Sequence, residues 1–352
     1  MQKINKGIVV LLALLVGILF GGSSLSVQAG EWDTGYTVGI VGSEFQHETK
    51  PYYDLRLKPK QKTELGITIK NALDTSADFK ISVNTAVTNS NGIIDYSGQE
   101  KADDNSLFVK LSDIAKLEKD YVSLAPKQEI TVPIQVTMPD KPFDGMILGG
   151  IHVTRGLTDK ERKDSGYNNV FSYVKQIKIT ETDKEITPDL KLTKVTSSSE
   201  NFKGEIRANL QNPTATILSK IKIQAKILAA DSKKVVNERE QLQRDMAPNS
   251  NFDYYFEYLD GKLPVGKFDM VIDAEDEFGH KWHLVKTFEV SAEEQEKVKQ
   301  ETHTLKSEKE ANPWVWVVIV MGIIIVILLI IVILFLIRKK ATETNEAGEG
   351  RK

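Results

Sequence analysis

The sequence predicts an all-β protein: two tandem immunoglobulin-like β-sandwich domains, with an N-terminal signal peptide and one C-terminal transmembrane helix. Three observations carry the prediction. Period-two alternation of apolar and polar residues dominates from Tyr36 to Val290, as in Phe79, Ile81, Val83, Thr85 and Val87 against Lys80, Ser82, Asn84 and Ala86. Seven such runs follow residue 188, the number an immunoglobulin-like sandwich needs. Long apolar runs occur only at the two ends of the chain.

Residues 1–29 read as a secretory signal. Lys3 and Lys6 precede an apolar run from Ile8 to Phe20, and small residues surround Ala29. That run is short of the ~20 residues a spanning helix requires. The first sandwich is expected over 30–180. Leu65, Ile67 and Ile69 mark one strand, and Ile130, Val132, Ile134, Val136 and Met138 another. Pro133 cannot donate to a ladder, so the second of these is expected at a sheet edge. Leu57-Lys58-Pro59-Lys60-Gln61, Leu124-Ala125-Pro126-Lys127-Gln128 and Met246-Ala247-Pro248-Asn249-Ser250 share an apolar-x-Pro-x-polar pattern. In each, proline fixes φ for a turn that feeds a strand. The excess length of this domain lies in Asp103–Asp120, where Ser112 to Leu117 suits a short helix or a crossing loop.

The polar run Glu181 to Glu185 breaks the pattern, and the second sandwich is expected over 181–290. Its strands are placed at Leu190–Thr196, Gly204–Leu210, Lys220–Leu228, Val235–Gln243, Phe252–Tyr258, Lys267–Asp273 and Trp282–Val290. Residues 291–312 are rich in Glu and Lys and hold too few apolar positions for a coiled coil, so they read as a charged stalk. Residues 313–337 read as a transmembrane helix, since Trp314 to Ile337 contains no charge. Trp314 and Trp316 suit one interface and Arg338-Lys339-Lys340 the other, which makes 338–352 a cytoplasmic tail and places the bulk of the chain outside the cell membrane.

Charge and composition exclude several functions. The net charge is −3 and the basic residues form no stripe, which argues against nucleic-acid binding. Cysteine is absent, and with it disulfides, thiolate metal sites and cysteine nucleophiles. A cysteine-free secreted chain with one span suits a Gram-positive cell surface. No catalytic motif is present, so no enzyme, cofactor or metal site is expected. His280-x-x-His283 puts its rings on opposite faces of a strand, and Asp273, Glu275, Asp276 and Glu277 lack the spacing of a calcium loop. For binding, Tyr52, Tyr53, Asn89, Asn91, Asp95 and Tyr96 combine aromatic faces that stack on sugars with amides and carboxylates that address hydroxyls. Asn91-Gly92 is equally a turn dipeptide, and strand tyrosines are often packing residues. In the second domain Tyr254, Tyr255, Phe256 and Tyr258 put aromatics on both faces of one strand, leaving Tyr255 as a candidate protein contact.

Tyr52-Tyr53-Asp54-Leu55, Lys58-Pro59-Lys60-Gln61, Asn71, the run Thr88 to Tyr96 and Gly145 to Ile151 together resemble the first domain of the WxL-interacting proteins of lactobacilli and enterococci. Pro188 to Leu192, Ala208 to Thr214, Ala247 to Phe252 and Lys281-Trp282 resemble the second. Lys60 departs from the family, which usually has glycine after the proline. The resemblance implies a first domain that binds peptidoglycan, a second that binds host proteins such as extracellular-matrix components, and a whole that holds WxL-domain proteins at the cell surface. An envelope sensor and a cell-wall-active enzyme are the alternatives, and the short tail and the missing catalytic motif count against them.

Overall fold

The computed structural model describes residues 34–100, 102–157, 170–200, 203–259, 262–307 and Met321. The expected signal peptide, the rest of the apolar run at 313–337 and the tail at 338–352 lie outside these residues. Among the described residues no helix is long and apolar enough to cross a membrane. The chain forms two compact units. The first comprises residues up to Val87, Ile94–Thr187 and Thr214–Thr216, and the second Thr88–Ile93, Pro188–Pro213 and the remainder from Ile217.

In chain order the first half forms β1 (Tyr36–Ile40), β2 (Tyr53–Arg56), β3 (Lys62–Asn71), β4 (Ala77–Thr85), β5 (Val87–Thr88), β6 (Ile94–Asp95), α1 (Leu111–Ile114), β7 (Ala115–Leu117), β8 (Tyr121–Leu124), β9 (Glu129–Thr137), β10 (Met146–Arg155) and β11 (Ser172–Thr180). Two sheets with strand orders β1-β3-β9-β7 and β2-β11-β10-β4-β8 make the first unit. All pairs are antiparallel except β2 with β11. Alternate residues of the longer strands enter one core, among them Ile67, Ile69, Phe79, Ile134, Ile151 and Ile177, each fully buried. The segment from Asp103 resolves into α1 followed directly by β7, with Leu111 buried in that core. Strand β9 is internal to its sheet, contrary to the expectation from Pro133. Its outer neighbour β7 pairs only with residues 134–136, so Pro133 sits one position past the last pair, where no ladder bond is required of it.

The Pro-x-polar pattern is a tight turn with a fixed chemistry. Gln61 N donates to Lys58 O and Gln128 N to Ala125 O. The residue after each proline has positive φ: 62° at Lys60, 60° at Lys127 and 49° at Asn249. Proline followed by a left-handed residue is the type II turn. The glutamine that ends each of the first two turns also closes it, since Gln61 Oε1 accepts from Lys58 N and Gln128 Oε1 from Ala125 N, both at 2.8 Å. A buried asparagine ties two of these turns to a neighbouring strand. Asn71 Nδ2 donates to Leu124 O and Ala125 O while its Oδ1 accepts from Leu73 N. In the second unit Asn212 Nδ2 donates to Ala247 O. Both asparagines are fully buried, so their amides stay affordable only because these bonds are made.

The second unit contains β12 (Lys191–Glu200), β13 (Lys203–Asn212), β14 (Leu218–Ala229), β15 (Val235–Met246), β16 (Ser250–Leu259), β17 (Gly266–Glu275), β18 (Lys281–Val290) and α2 (Ala292–Ser307). Its seven strands match the seven alternating runs, in sheets ordered β12-β13-β16 and β15-β14-β17-β18. Ile206, Leu210, Ile223, Ile227, Met270 and Ile272 fill the core. The segment expected to be a charged stalk begins as α2, and this helix packs on the sandwich. Ser291 and Glu294 form a reciprocal capping box, with Glu294 Oε2 accepting from Ser291 N at 2.8 Å and Ser291 Oγ from Glu294 N at 3.1 Å. Gln295 Nε2 donates to Leu263 O, Ser199 bonds Glu301, and Val298 joins the core with only 4% of its surface exposed.

Candidate functional site

In β10 the core positions are Ile151 and Val153, so Gly150, His152 and Thr154 face outward from the five-stranded sheet. Cross-strand register sets Asn84 opposite Gly150 and Ser82 opposite His152 on β4, and Val174 opposite His152 on β11. A Cβ on Gly150 would lie 3.2 Å from Tyr96 Cδ1 and 3.0 Å from Val174 Cγ1. The Tyr96 ring therefore lies against bare backbone, which a side chain at this position would displace. Asn84 holds the ring's segment in place, its Nδ2 donating to Tyr96 O at 2.8 Å and to Ser82 Oγ at 3.0 Å. Gly149 serves the opposite face, where a Cβ would fall 2.4 Å from Leu111 Cδ2.

Polar groups flank the ring. Asp95 accepts from Ser97 N at 2.6 Å and from Ser97 Oγ at 3.0 Å. His152 is half-buried, and its pKa is lowered mainly by that burial, with the Asp95 charge pulling it up and Lys80 pushing it down. Its imidazole is thus a neutral donor and acceptor near pH 7. An aromatic ring, a neutral imidazole, an amide and a carboxylate on one sheet face form a surface suited to a sugar ring and its amide substituents.

The other sequence candidates behave differently. Tyr53 is fully buried, and its hydroxyl lies 2.7 Å from both Val41 O and Gly66 O, so it packs the core. Tyr52 is half-buried beneath Lys50, whose ammonium stands 5.5 Å from the ring centre. Asn89 and Asn91 belong to the second unit, apart from Asp95 and Tyr96 in the first. Asn89 Oδ1 accepts from Asn91 N and Ile93 N, closing a turn at Gly92, where φ is 65°. Tyr255 faces outward on β16, and the Arg239 guanidinium stacks on it 4.6 Å from the ring centre while donating to Tyr255 O. His152, Asn84, Ser82 and Val174 escaped the sequence reading, although the Gly149-Gly150 pair inside a strand pattern signals a close approach of other groups.

His280 and His283 each pair with a different carboxylate, Asp276 at 2.7 Å and Asp273 at 2.6 Å. Among the described residues no three His, Asp or Glu side chains converge as a metal site.

Residues 36–155 match the WxL Interacting Protein, peptidoglycan binding domain, and residues 162–300 match the WxL Interacting Protein, host binding domain. The second match runs through most of α2. Similar solved structures include the E. coli chaperone DraB (12% identity, 73% of this chain and 98% of that chain, TM-score 0.28). A chain of the CFA/I fimbrial chaperone–tip adhesin complex is similar at 8% identity, covering 71% of this chain and 98% of that chain, with TM-score 0.28. A PapD-like domain of human CEP192 is similar at 14% identity over 43% and 88%, with TM-score 0.27. The search of curated proteins returned no match. Two family domains in their expected order, over residues 36–300 of a two-sandwich chain, establish that the protein belongs to the WxL-interacting protein family.

Proposed function

We propose that the protein is a non-enzymatic scaffold of the cell surface. Its signal peptide is removed after Ala29, residues 313–337 anchor it in the membrane, and its two sandwiches stand on the wall side. There the first unit grips peptidoglycan and the second holds WxL-domain proteins or host proteins. The observation that carries the wall-binding half is the Tyr96 ring laid over Gly150 beside His152 and Asn84, all inside the segment matched to a peptidoglycan-binding domain. The peptidoglycan backbone is made of N-acetylated amino sugars, whose apolar ring faces suit Tyr96 and whose hydroxyls and acetamido groups suit the polar rim.

Co-sedimentation of the full-length chain with purified sacculi tests this reading. Loss of an aromatic stacking contact is worth about 0.5–1.5 kcal/mol, so Tyr96→Ala should weaken sedimentation about 2- to 13-fold, and His152→Ala should also weaken it. Sacculus binding unaffected by both changes would remove the proposed face. Capture of a purified WxL-domain protein by the same chain tests the second half. Protease treatment of intact protoplasts, which should digest all but the anchor and tail, tests the orientation.

A further inference from the structure

We propose that the outer edge of β18, from Lys281 to Phe288, together with Phe278 in the turn that precedes it, is a docking line for an extended segment of a partner protein whose side chains alternate apolar and polar and set a carboxylate against Lys286. The proposal rests on the reading that the second unit holds partner proteins, and it names where and by what chemistry.

Among the described residues β18 ends its sheet, and one row of its backbone groups has no strand partner there. Its inward row, Trp282, Leu284, Lys286 and Phe288, is only half-buried, whereas the matching row of β17, Phe268, Met270, Ile272 and Ala274, is buried. Trp282, Leu284 and Phe288 pack against the core yet keep part of their surface in water. The facing edge strand β12 has the same character at Leu192 and Val195. The opposite side of the sandwich is closed differently. There Arg239 of β15 covers Tyr255 and occupies its carbonyl, plugging the edge of β16.

The line continues into a rigid tip. Phe278 is 75% exposed, the largest exposure among the described large apolar side chains. Its turn does not yield to hide it. The buried Asp276 accepts from Phe278 N and His280 N, both at 2.9 Å, and meets His280 Nδ1 at 2.7 Å. Gly279 takes φ of 85°, and Glu277 is tied to Lys220 at 2.7 Å. The His280 ring then stands 6.2 Å from that of Trp282, linking the tip to the strand. A large aromatic held in water by a preorganised turn has the properties of an interface anchor.

Charge selects the occupant. Lys286 interrupts the apolar row, and Lys281 and Lys194 stand exposed on the two edge strands. An inward-pointing lysine on an edge strand repels an all-apolar strand, and the same lysine admits one that brings a carboxylate. A segment paired from Lys281 to Phe288 would span about 23 Å of extended chain, and a few residues more carry it to the turn that holds Phe278.

The test uses the full-length chain and two synthetic eleven-residue peptides of alternating valine and threonine, one with Glu and one with Lys at the position facing Lys286. Amide hydrogen exchange should show protection of residues 281–290 by the Glu peptide, with at least tenfold weaker binding of the Lys peptide. Lys286→Glu should reverse that preference, and Phe278→Ala should weaken the Glu peptide at least tenfold. No protection of β18 at millimolar peptide, or an unchanged preference in Lys286→Glu, overturns the proposal. Full capture of a WxL-domain protein by the Phe278→Ala, Lys286→Glu double variant would also overturn it and leave the partner-holding reading intact. Failure of capture by the unaltered chain would instead strike that reading.

Discussion

Lys60→Gly should stabilise the first unit, although glycine substitutions usually destabilise. Lys60 follows Pro59 in a type II turn and holds φ at 62°, a region that costs an L-residue about 1–2 kcal/mol. The Lys60 side chain is exposed, and its structural role is the backbone bond from its N–H to Pro139 O at 3.0 Å, which glycine keeps. Glycine gives back about 0.4–1 kcal/mol through the extra freedom of the unfolded chain. The net gain is then about 0.5–1 kcal/mol, or roughly 2–3 °C in the melting temperature of a unit this size. Differential scanning calorimetry reads the shift directly. Lys60→Ala retains the Cβ and should gain nothing. Lys127→Gly, at φ of 60°, should gain less, because Lys127 Nζ also donates to Ala72 O at 2.6 Å and pairs with Asp74 at 2.9 Å. A Lys60→Gly melting temperature equal to or below that of Lys60→Ala would refute the assignment of strain to this turn.

Three further outcomes are expected. Val298→Ala should cost the second unit about 2 kcal/mol through the cavity it leaves, and limited proteolysis should open the chain near 291–301; a wild-type melting curve would show that α2 is not part of the folded unit. Gly149→Ala should cost about 3 kcal/mol, since its Cβ would fall 2.2 Å from Asn84 O, while Gly150→Ala meets mainly side chains that can move and should reduce sacculus binding more than stability, as thermal melts and co-sedimentation will separate. His152 has a lowered folded pKa, so below 6.5 the unfolded chain takes up protons that the folded chain resists, and stability falls as pH drops through that window until the folded imidazole is itself protonated. Denaturation midpoints at pH 7 and pH 5 should therefore differ more in the unaltered chain than in His152→Asn.

The strands of the second unit were legible because each has one face in the core and one in water, so alternation marks them without knowledge of their partners. The Pro-x-polar turns were legible for a local reason too, since proline and its successor fix the backbone. What escaped depends on distant partners. Pro133 reads as an edge residue, and only the short reach of β7 shows how an internal strand accommodates it. Asn89, Asn91, Asp95 and Tyr96 are neighbours in sequence, but the first two belong to one unit and the last two to the other. Tyr96 finds its neighbours on β4 and β10, more than fifty residues away in the case of Gly150. Among its described side chains helix α2 offers one buried anchor in a charged segment, too little apolar periodicity to separate a docked helix from a spacer, although Ser291-x-x-Glu294 was a readable start signal.

Docking of α2 also bears on how the chain responds to mechanical load. Tension arriving from the C-terminal side meets this helix before it meets β18, and the helix grips the sandwich through Val298, the Gln295 amide and the Glu301 carboxylate. Peeling and extending its sixteen residues would release about 30 Å of slack, the difference between ~3.4 Å and 1.5 Å per residue, while the seven strands stay intact. A helix held by so few contacts would yield before the strands, sparing the sandwich from the initial jolt.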